Sequence, residues 1–266
     1  MKYLIIIIFG FIQGVTEFLP ISSSGHLVIL HKIFNLPMSE MSFDVILHLA
    51  SLCAVFIFFK KDIFEIIKGV FLKNTNGKIG WLIILGTLPA AFLGYFFEDY
   101  IENTLRSIWF VAFMLVFVGV LFIIIEKIAK NSRDITDFKI NDALFIGFAQ
   151  ALALIPGTSR SGVTVIAGMR AGFKREVAVK LSFLLSVPII LGANVKKITD
   201  INWSAISQFE TVALFLGFFS GFLTSYFAIK FFISYSSKHT LNIFAYYRFI
   251  LAFVLVCLLL LTSFFS

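Results

Sequence analysis

Cysteine is nearly absent from this chain: only Cys53 and Cys257 occur among 266 residues, each inside an apolar run. That argues against a disulfide framework or a thiolate metal site. Charge is scarce as well, at 14% of residues, while 59% are hydrophobic. A soluble domain of that make-up would expose apolar patches larger than monomers tolerate. The low hydrophobicity of a disordered chain and the glycine period of a collagen are both missing. So is the cleavage pattern of a signal peptide, because the apolar run from Tyr3 to Phe11 continues into Gln13, Glu17 and Pro20. The amino terminus is therefore expected to stay in the mature protein. The short alternating segments of a membrane barrel do not occur either; apolar stretches of helical length recur instead. The class is an all-α polytopic membrane protein. In such a chain a net charge of +7 reflects cytoplasmic loops and calls for no nucleic-acid partner.

Crossing a hydrocarbon core takes roughly 20 helical residues, and six segments qualify, near 43–59, 79–97, 107–125, 177–195, 211–235 and 245–265. Residues 3–36 and 142–172 read differently. Each holds an apolar arm, a break rich in Pro, Gly and Ser, and a short second arm, His26 to Leu36 and Val163 to Phe173. An arm of that length extends only about 16 Å, so each region is expected to be a re-entrant helical hairpin, with its irregular backbone sheltered by protein or a wet cavity. Lys and Arg then orient the chain. The segments at 60–78, 127–139, 170–180 and 230–238 hold fifteen, against five at Lys2, Lys32, Arg106, Lys196 and Lys197. The first group is expected in the cytoplasm, which puts the first hairpin outside and the second inside.

Opposite entry is the signature of an inverted repeat. GFIQGVTEFLPISSSG at 10–25 lies without gaps over GFAQALALIPGTSRSG at 147–162, matching Gly10/Gly147, Phe11/Phe148, Gln13/Gln150, Ser22/Ser159, Ser24/Ser161 and Gly25/Gly162. A weaker echo relates Gly86 to Gly217 and Tyr95-Phe96 to Tyr226-Phe227. The chain reads as a single membrane domain, 1–266, with repeats at about 1–125 and 140–266.

Each second arm begins at its break, so its amino terminus brings free amides and a positive dipole end to the membrane interior, where anions bind. Ser22-Ser23-Ser24-Gly25 precedes one arm and Gly157-Thr158-Ser159-Arg160-Ser161-Gly162 the other. Two such tips suit a phosphate or diphosphate, although helix capping is the expected role of Ser22 and Ser24 taken singly. Charges among apolar helices are costly and point to function, and Glu17, His26 and Arg160 are the three that qualify. Gln13 and Glu17, four apart, share a helix face, as do Ser23 and His26, three apart; an imidazole there could activate a hydroxyl or protonate a phosphate oxygen. Asp44 and His48 are read as a structural pair or cavity lining, His239 as loop, and Arg248 as a residue that snorkels to the interface beside Tyr246 and Tyr247.

QGVTEFLPISSSGH at 13–26 and PGTSRSGVT at 156–164 resemble the bacterial undecaprenyl-diphosphate phosphatase family of the bacitracin-resistance type. FDVILHLASLCAV at 43–55, LSFLLSVPIILGA at 181–193 and FAYYRFILA at 244–252 extend the likeness along the chain. The resemblance implies a membrane hydrolase that removes the terminal phosphate of undecaprenyl diphosphate, a polyprenyl lipid. It thereby recycles the carrier for peptidoglycan synthesis and lowers sensitivity to bacitracin. It also implies a divalent cation, magnesium or calcium. The family's acidic motif falls on Gln13 and Glu17, which would be the metal residues, and its serine-histidine motif on Ser23 and His26. Its phosphate-binding loop falls on Gly157, Ser159, Arg160, Ser161 and Thr164. Glutamine at position 13 leaves Glu17 as the one expected carboxylate ligand, compatible with magnesium, which keeps several waters.

The expected catalytic set is thus Glu17, Ser23, His26 and Arg160, with Gln13, Ser22, Ser24, Gly157, Thr158, Ser159, Ser161 and Thr164 binding substrate. Ser23 is the preferred nucleophile with His26 as its base or as an acid; direct attack by His26 or by a cation-bound water stays open. The expected location is the bacterial cytoplasmic (inner) membrane, with the site opening to the outer side among membrane lipids. Inverted repeats with broken helices also build transporters, so a lipid-phosphate flippase is the alternative, and an anion channel a more distant one. Homo-oligomerisation is left open, because the spans expose no unambiguous dimer face.

Overall fold

The computed structural model describes residues 1–34, 36, 38–105, 107–201 and 203–264. Arg106, one of the five cations placed outside, and Phe265, the end of the last expected span, lie beyond the described residues. The described chain is helical throughout, in the order α1 (Lys2–Phe18), α2 (Ser23–Ile33), α3 (Glu40–Phe58), α4 (Lys60–Leu72), α5 (Thr75–Leu105), α6 (Ile108–Ile128), α7 (Ile140–Ala151), α8 (Arg160–Arg170), α9 (Arg175–Ile198), α10 (Gln208–Ser236) and α11 (Asn242–Phe264). Six stretches are long and apolar enough to cross a membrane: Glu40–Phe58, Thr75–Phe97, Ile108–Ile128, Arg175–Ile198, Gln208–Ser236 and Asn242–Leu260. These are the six segments expected from hydropathy, and the chain is a multi-pass membrane protein. The sequence reading did not foresee α4, a helix of 13 residues that follows α3 after Phe59.

Local chemistry sets where the spans begin. Ser39, Ser107 and Ser207 each accept a hydrogen bond from the amide three residues on, which satisfies one of the orphan donors of α3, α6 and α10. At the far end of α6 the first charges, Glu126 and Lys127, coincide with the end of the apolar run. Glu126 accepts from Arg175, while Asp142, Asp134 and Asp62 accept from Arg133, Lys174 and Lys180. Several of the fifteen cations on the expected cytoplasmic side therefore tie neighbouring helix ends together.

The two short arms are α2 and α8, eleven residues each and about 16 Å long. Both start three residues earlier than the sequence suggested, at Ser23 and Arg160, because Ser22 and Ser159 have already capped them. The arms differ in setting. On α8 every residue from Ser161 to Met169 is buried, whereas α2 buries only Gly25, Leu27 and Leu30. The largest apolar core accordingly surrounds α8, drawing Phe18 and Ile21 from the first break, Phe122 from α6 and Phe183 from α9.

Helix contacts pair across the two halves: α1 runs along α10 and α7 along α5, while α3 meets α9 and α6 meets α11. Small residues allow the first two pairings. Gly10 and Gly14 of α1 lie against Gly217 and Gly221 of α10, so that a Cβ on Gly10 would sit 2.5 Å from Gly217 O. A Cβ on Gly147 would sit 2.4 Å from Gly86 O on α5. Close backbone approach of this kind is how helices associate where lipid removes the hydrophobic drive. Gly10→Ala is therefore expected to cost about 1–3 kcal/mol by overpacking and to lower the unfolding midpoint in detergent by about 5 °C. A thermal scan of the variant beside wild type measures this, and an unchanged midpoint would show that the α1–α10 contact is looser than described.

Candidate active site

Glu17 is where the two broken regions meet. It is the penultimate residue of α1, just before the first break, and is 8% exposed. Its Oε2 accepts hydrogen bonds from Ser23 Oγ at 2.7 Å and Gln13 Nε2 at 3.1 Å, and its Oε1 accepts one from Arg160 Nη2 at 2.8 Å. His48 Nε2 lies 3.7 Å from Oε2. The spacing of Gln13 and Glu17 puts them on one face of α1, as the sequence suggested, but Ser23 and Arg160 arrive from two different helices. They hold the same position in each, the first residue after the cap.

Those caps are alike in detail. Ser22 and Ser159 both have positive φ, 74° and 71°, a conformation that costs a non-glycine residue of order 1–3 kcal/mol and gathers at functional sites. Each side chain accepts from the amide three residues on, Gly25 and Gly162, and each lies within 3.3 Å of a second serine hydroxyl, Ser24 and Ser161. The turn aims the first side chain of each arm at Glu17. Gly157 is needed at its own turn, with φ 88° and a Cβ position only 2.7 Å from Val111 O.

Arg248 of α11 locks both turns from behind. It is wholly buried. Its Nη1 donates to Pro20 O in the first break, and its Nη2 to Gly157 O and Thr158 O in the second, at 2.9–3.1 Å. Nε donates to Leu115 O and Nη2 also to Met114 O on α6, at 3.1 and 3.3 Å. A rigid guanidinium fork is the side chain suited to gathering so many carbonyls at once. The expectation that Arg248 snorkels to the interface is corrected: the carbonyls that the two breaks leave unpaired draw it inward.

Residues 6–254 match the family model described as bacitracin resistance protein BacA. The chain belongs to that family. Relatives named undecaprenyl-diphosphatase include one from Rubrobacter xylanophilus, 40% identical over 265 residues, covering 96% of this chain and 97% of the relative. Another, from Elusimicrobium minutum, is 42% identical over 252 residues, covering 94% and 95%. A third, from Halothermothrix orenii, is 37% identical over 253 residues, covering 95% and 96%.

In this member of the BacA family, the residues expected from sequence separate by exposure. Ser23, Ser24, His26 and Arg160 keep accessible surface, as does His48. Ser22, Thr158, Ser159, Ser161 and Thr164 are buried, and what they do is mostly internal. Ser22 and Ser159 are caps. Ser161 donates to Leu19 O in the opposite break. Thr164 lies one turn beyond Arg160 and pairs with Ser182 Oγ at 2.7 Å, while Thr158 contributes its carbonyl to Arg248. The Thr158 hydroxyl and Gln13 Oε1 are buried polar atoms without a protein partner.

Ser23 and His26 do share a face of α2, yet Ser23 gives its hydrogen to Glu17. Both ring nitrogens of His26 are engaged elsewhere, Nδ1 with Ser22 O at 2.8 Å and Nε2 with the Tyr247 hydroxyl at 2.7 Å. The partner of the Ser23 hydroxyl is thus Glu17 and not His26. Asp44 and His48 do meet, but through the backbone: His48 Nδ1 bonds to Asp44 O at 2.8 Å and its Nε2 faces Glu17, while the Asp44 carboxylate accepts from His31 Nε2 at 3.0 Å. Sequence reasoning missed Tyr247 and Arg248, while His48, read as a partner of Asp44 or as cavity lining, is both. Arg248 satisfied the rule that singled out Arg160, a charge within a span, and the assumption of snorkelling hid it.

Proposed function

We propose that this chain hydrolyses undecaprenyl diphosphate to the monophosphate and inorganic phosphate, in the cytoplasmic membrane, with the site opening to the outer face. The observation that carries the reading is the convergence of Ser23 and Arg160, from two opposed helix tips, on the single carboxylate of Glu17. A nucleophile with a base at 2.7 Å and a guanidinium beside it serves group transfer; binding or transport alone would not require the hydroxyl–carboxylate contact. The names of the relatives supply the substrate. The excess of Lys and Arg at the opposite end supports the outward opening.

In this reading the terminal phosphate sits against the exposed N–H groups of Arg160 and the hydroxyl of Ser24, at the positive ends of α2 and α8. Arg160 donates to Glu17 through Nη2 and to Ser182 O through Nη1, at 2.8 and 3.4 Å, and of its five N–H groups the others can take phosphate oxygens. Ser23 Oγ attacks the terminal phosphorus as its proton passes to Glu17. The bond from phosphorus to the bridging oxygen breaks, and the lipid monophosphate leaves. Water then cleaves the phosphoserine: His26 takes a proton from it, Glu17 returns the first proton to Ser23 Oγ, and inorganic phosphate leaves. Arg160 absorbs charge on the phosphoryl oxygens as it transfers. The inverted-repeat arrangement of the hairpins fits this chemistry, since it brings two anion-binding tips to one point.

A divalent cation fits the residues present. Among the described residues there is no cluster of three or more His, Cys, Asp and Glu side chains. Glu17 and the unpartnered Gln13 Oε1 together offer two hard oxygens, the number magnesium takes from protein when phosphates and waters complete its shell. When bound, the ion would neutralise phosphate charge.

Purified protein should release phosphate from undecaprenyl diphosphate and yield the monophosphate as the sole lipid product. Release should fall on chelation and return with magnesium or calcium. A folded protein that releases no phosphate under any of these conditions would remove the phosphatase reading. Activity indifferent to chelation would remove the cation alone.

A further inference from the structure

We infer that Tyr247 is a positioning residue for this reaction, holding His26 in one tautomer and one orientation through its proton cycle; the inference rests on the phosphatase reading above. His26 Nδ1 lies 2.8 Å from Ser22 O. A carbonyl only accepts, so Nδ1 carries the hydrogen, and in the neutral ring Nε2 presents its lone pair. That lone pair meets the Tyr247 hydroxyl at 2.7 Å, with the two rings stacked at 5.8 Å and 14°.

A phenol both donates and accepts. It gives its hydrogen to Nε2 of the neutral imidazole and accepts the hydrogen from Nε2 of the imidazolium, so the ring need not turn when the proton moves. A carboxylate partner could serve the imidazolium only, and an aliphatic one neither state. Tyr247 is fixed in its turn by its neighbour, since the guanidinium of Arg248 anchors this stretch of α11 to both breaks and to α6. Tyr247 is nevertheless 41% exposed, and since its hydroxyl occupies the Nε2 lone pair, a proton reaches or leaves Nε2 through that hydroxyl. Residue 247 follows α2 by more than two hundred positions, and no local spacing announces the contact.

The test is Tyr247→Phe in the full-length protein, which removes one oxygen and keeps the ring. With undecaprenyl diphosphate as substrate, kcat should fall about tenfold, part of the factor of about 10²–10⁴ that a proton-transferring side chain contributes. KM should stay within about twofold of wild type, because no phosphate contact is lost. In protein carrying ¹⁵N-histidine, the Nε2 resonance of His26, assigned by its loss in His26→Gln, should move toward the position of an unbonded lone pair. The thermal midpoint should not change. Unchanged kcat, or an Nε2 resonance that does not move, would overturn the role of Tyr247 while leaving the phosphatase reading intact. A folded wild type that releases no phosphate would instead remove that reading, and this role with it.

Discussion

Ser23→Ala lowers kcat by about 10³ or more while KM and the thermal midpoint hold, if the Ser23–Glu17 contact is the reactive one. The hydroxyl is the only group lost, Glu17 keeps its bonds from Arg160 and Gln13, and nothing in the fold leans on Ser23 Oγ. Arg160→Ala belongs beside it. Loss of the guanidinium should cost a similar factor, about 10³–10⁵ for an arginine that stabilises phosphoryl transfer. It should also destabilise, because removing one member of a buried ion pair leaves a bare charge worth about 3–5 kcal/mol. The two variants therefore differ in stability while agreeing in activity. Steady-state phosphate release beside a thermal scan in the same detergent separates them. A Ser23→Ala protein with more than a tenth of wild-type kcat would remove the serine as nucleophile and leave a water to attack.

Arg248→Met should damage the fold most. The side chain is wholly buried and donates to five backbone carbonyls, two on α6 and three in the two breaks. A buried acceptor left unsatisfied costs about 1–3 kcal/mol. Even if repacking and water restore three of the five, about 2–6 kcal/mol is lost, equivalent to a fall of very roughly 10 °C in the midpoint. Activity should vanish at temperatures where the protein is still folded, because the turns that aim Ser23 and Arg160 at Glu17 no longer have a common anchor. Arg248→Lys should recover only part of either property, since an ammonium has three donors and no planar fork. A methionine variant with a wild-type midpoint and full turnover would show that the breaks hold their shape unaided.

The order of the spanning helices was readable from the chain because the membrane imposes it: an apolar run of some 20 residues has few alternatives to a spanning helix. The two breaks were readable for the same reason, since Glu17, Pro20 and the serines that follow interrupt runs that would otherwise continue. Glu17 and Arg160 could be chosen because a charge in that setting needs a purpose. Helix spacing placed Gln13 with Glu17 correctly. It also placed Ser23 beside His26, and there it misled, because spacing gives the face a residue shares and not the partner it selects.

Partners across the molecule were decided by tertiary packing alone. Glu17 receives Ser23 from its own break and Arg160 from 143 residues away. His26 receives Tyr247, and the carbonyls of both breaks receive Arg248. Composition and periodicity determine which segments are helices, how many can span and which end carries the cations, since each is a local balance of transfer free energy and hydrogen bonding. The choice of base, the tautomer of the histidine and the inward turn of Arg248 depend on distances between segments far apart in the chain. Those distances follow from Gly10 and Gly147 letting helices touch, and from the carbonyls of the two breaks drawing in a side chain with enough donors to satisfy them.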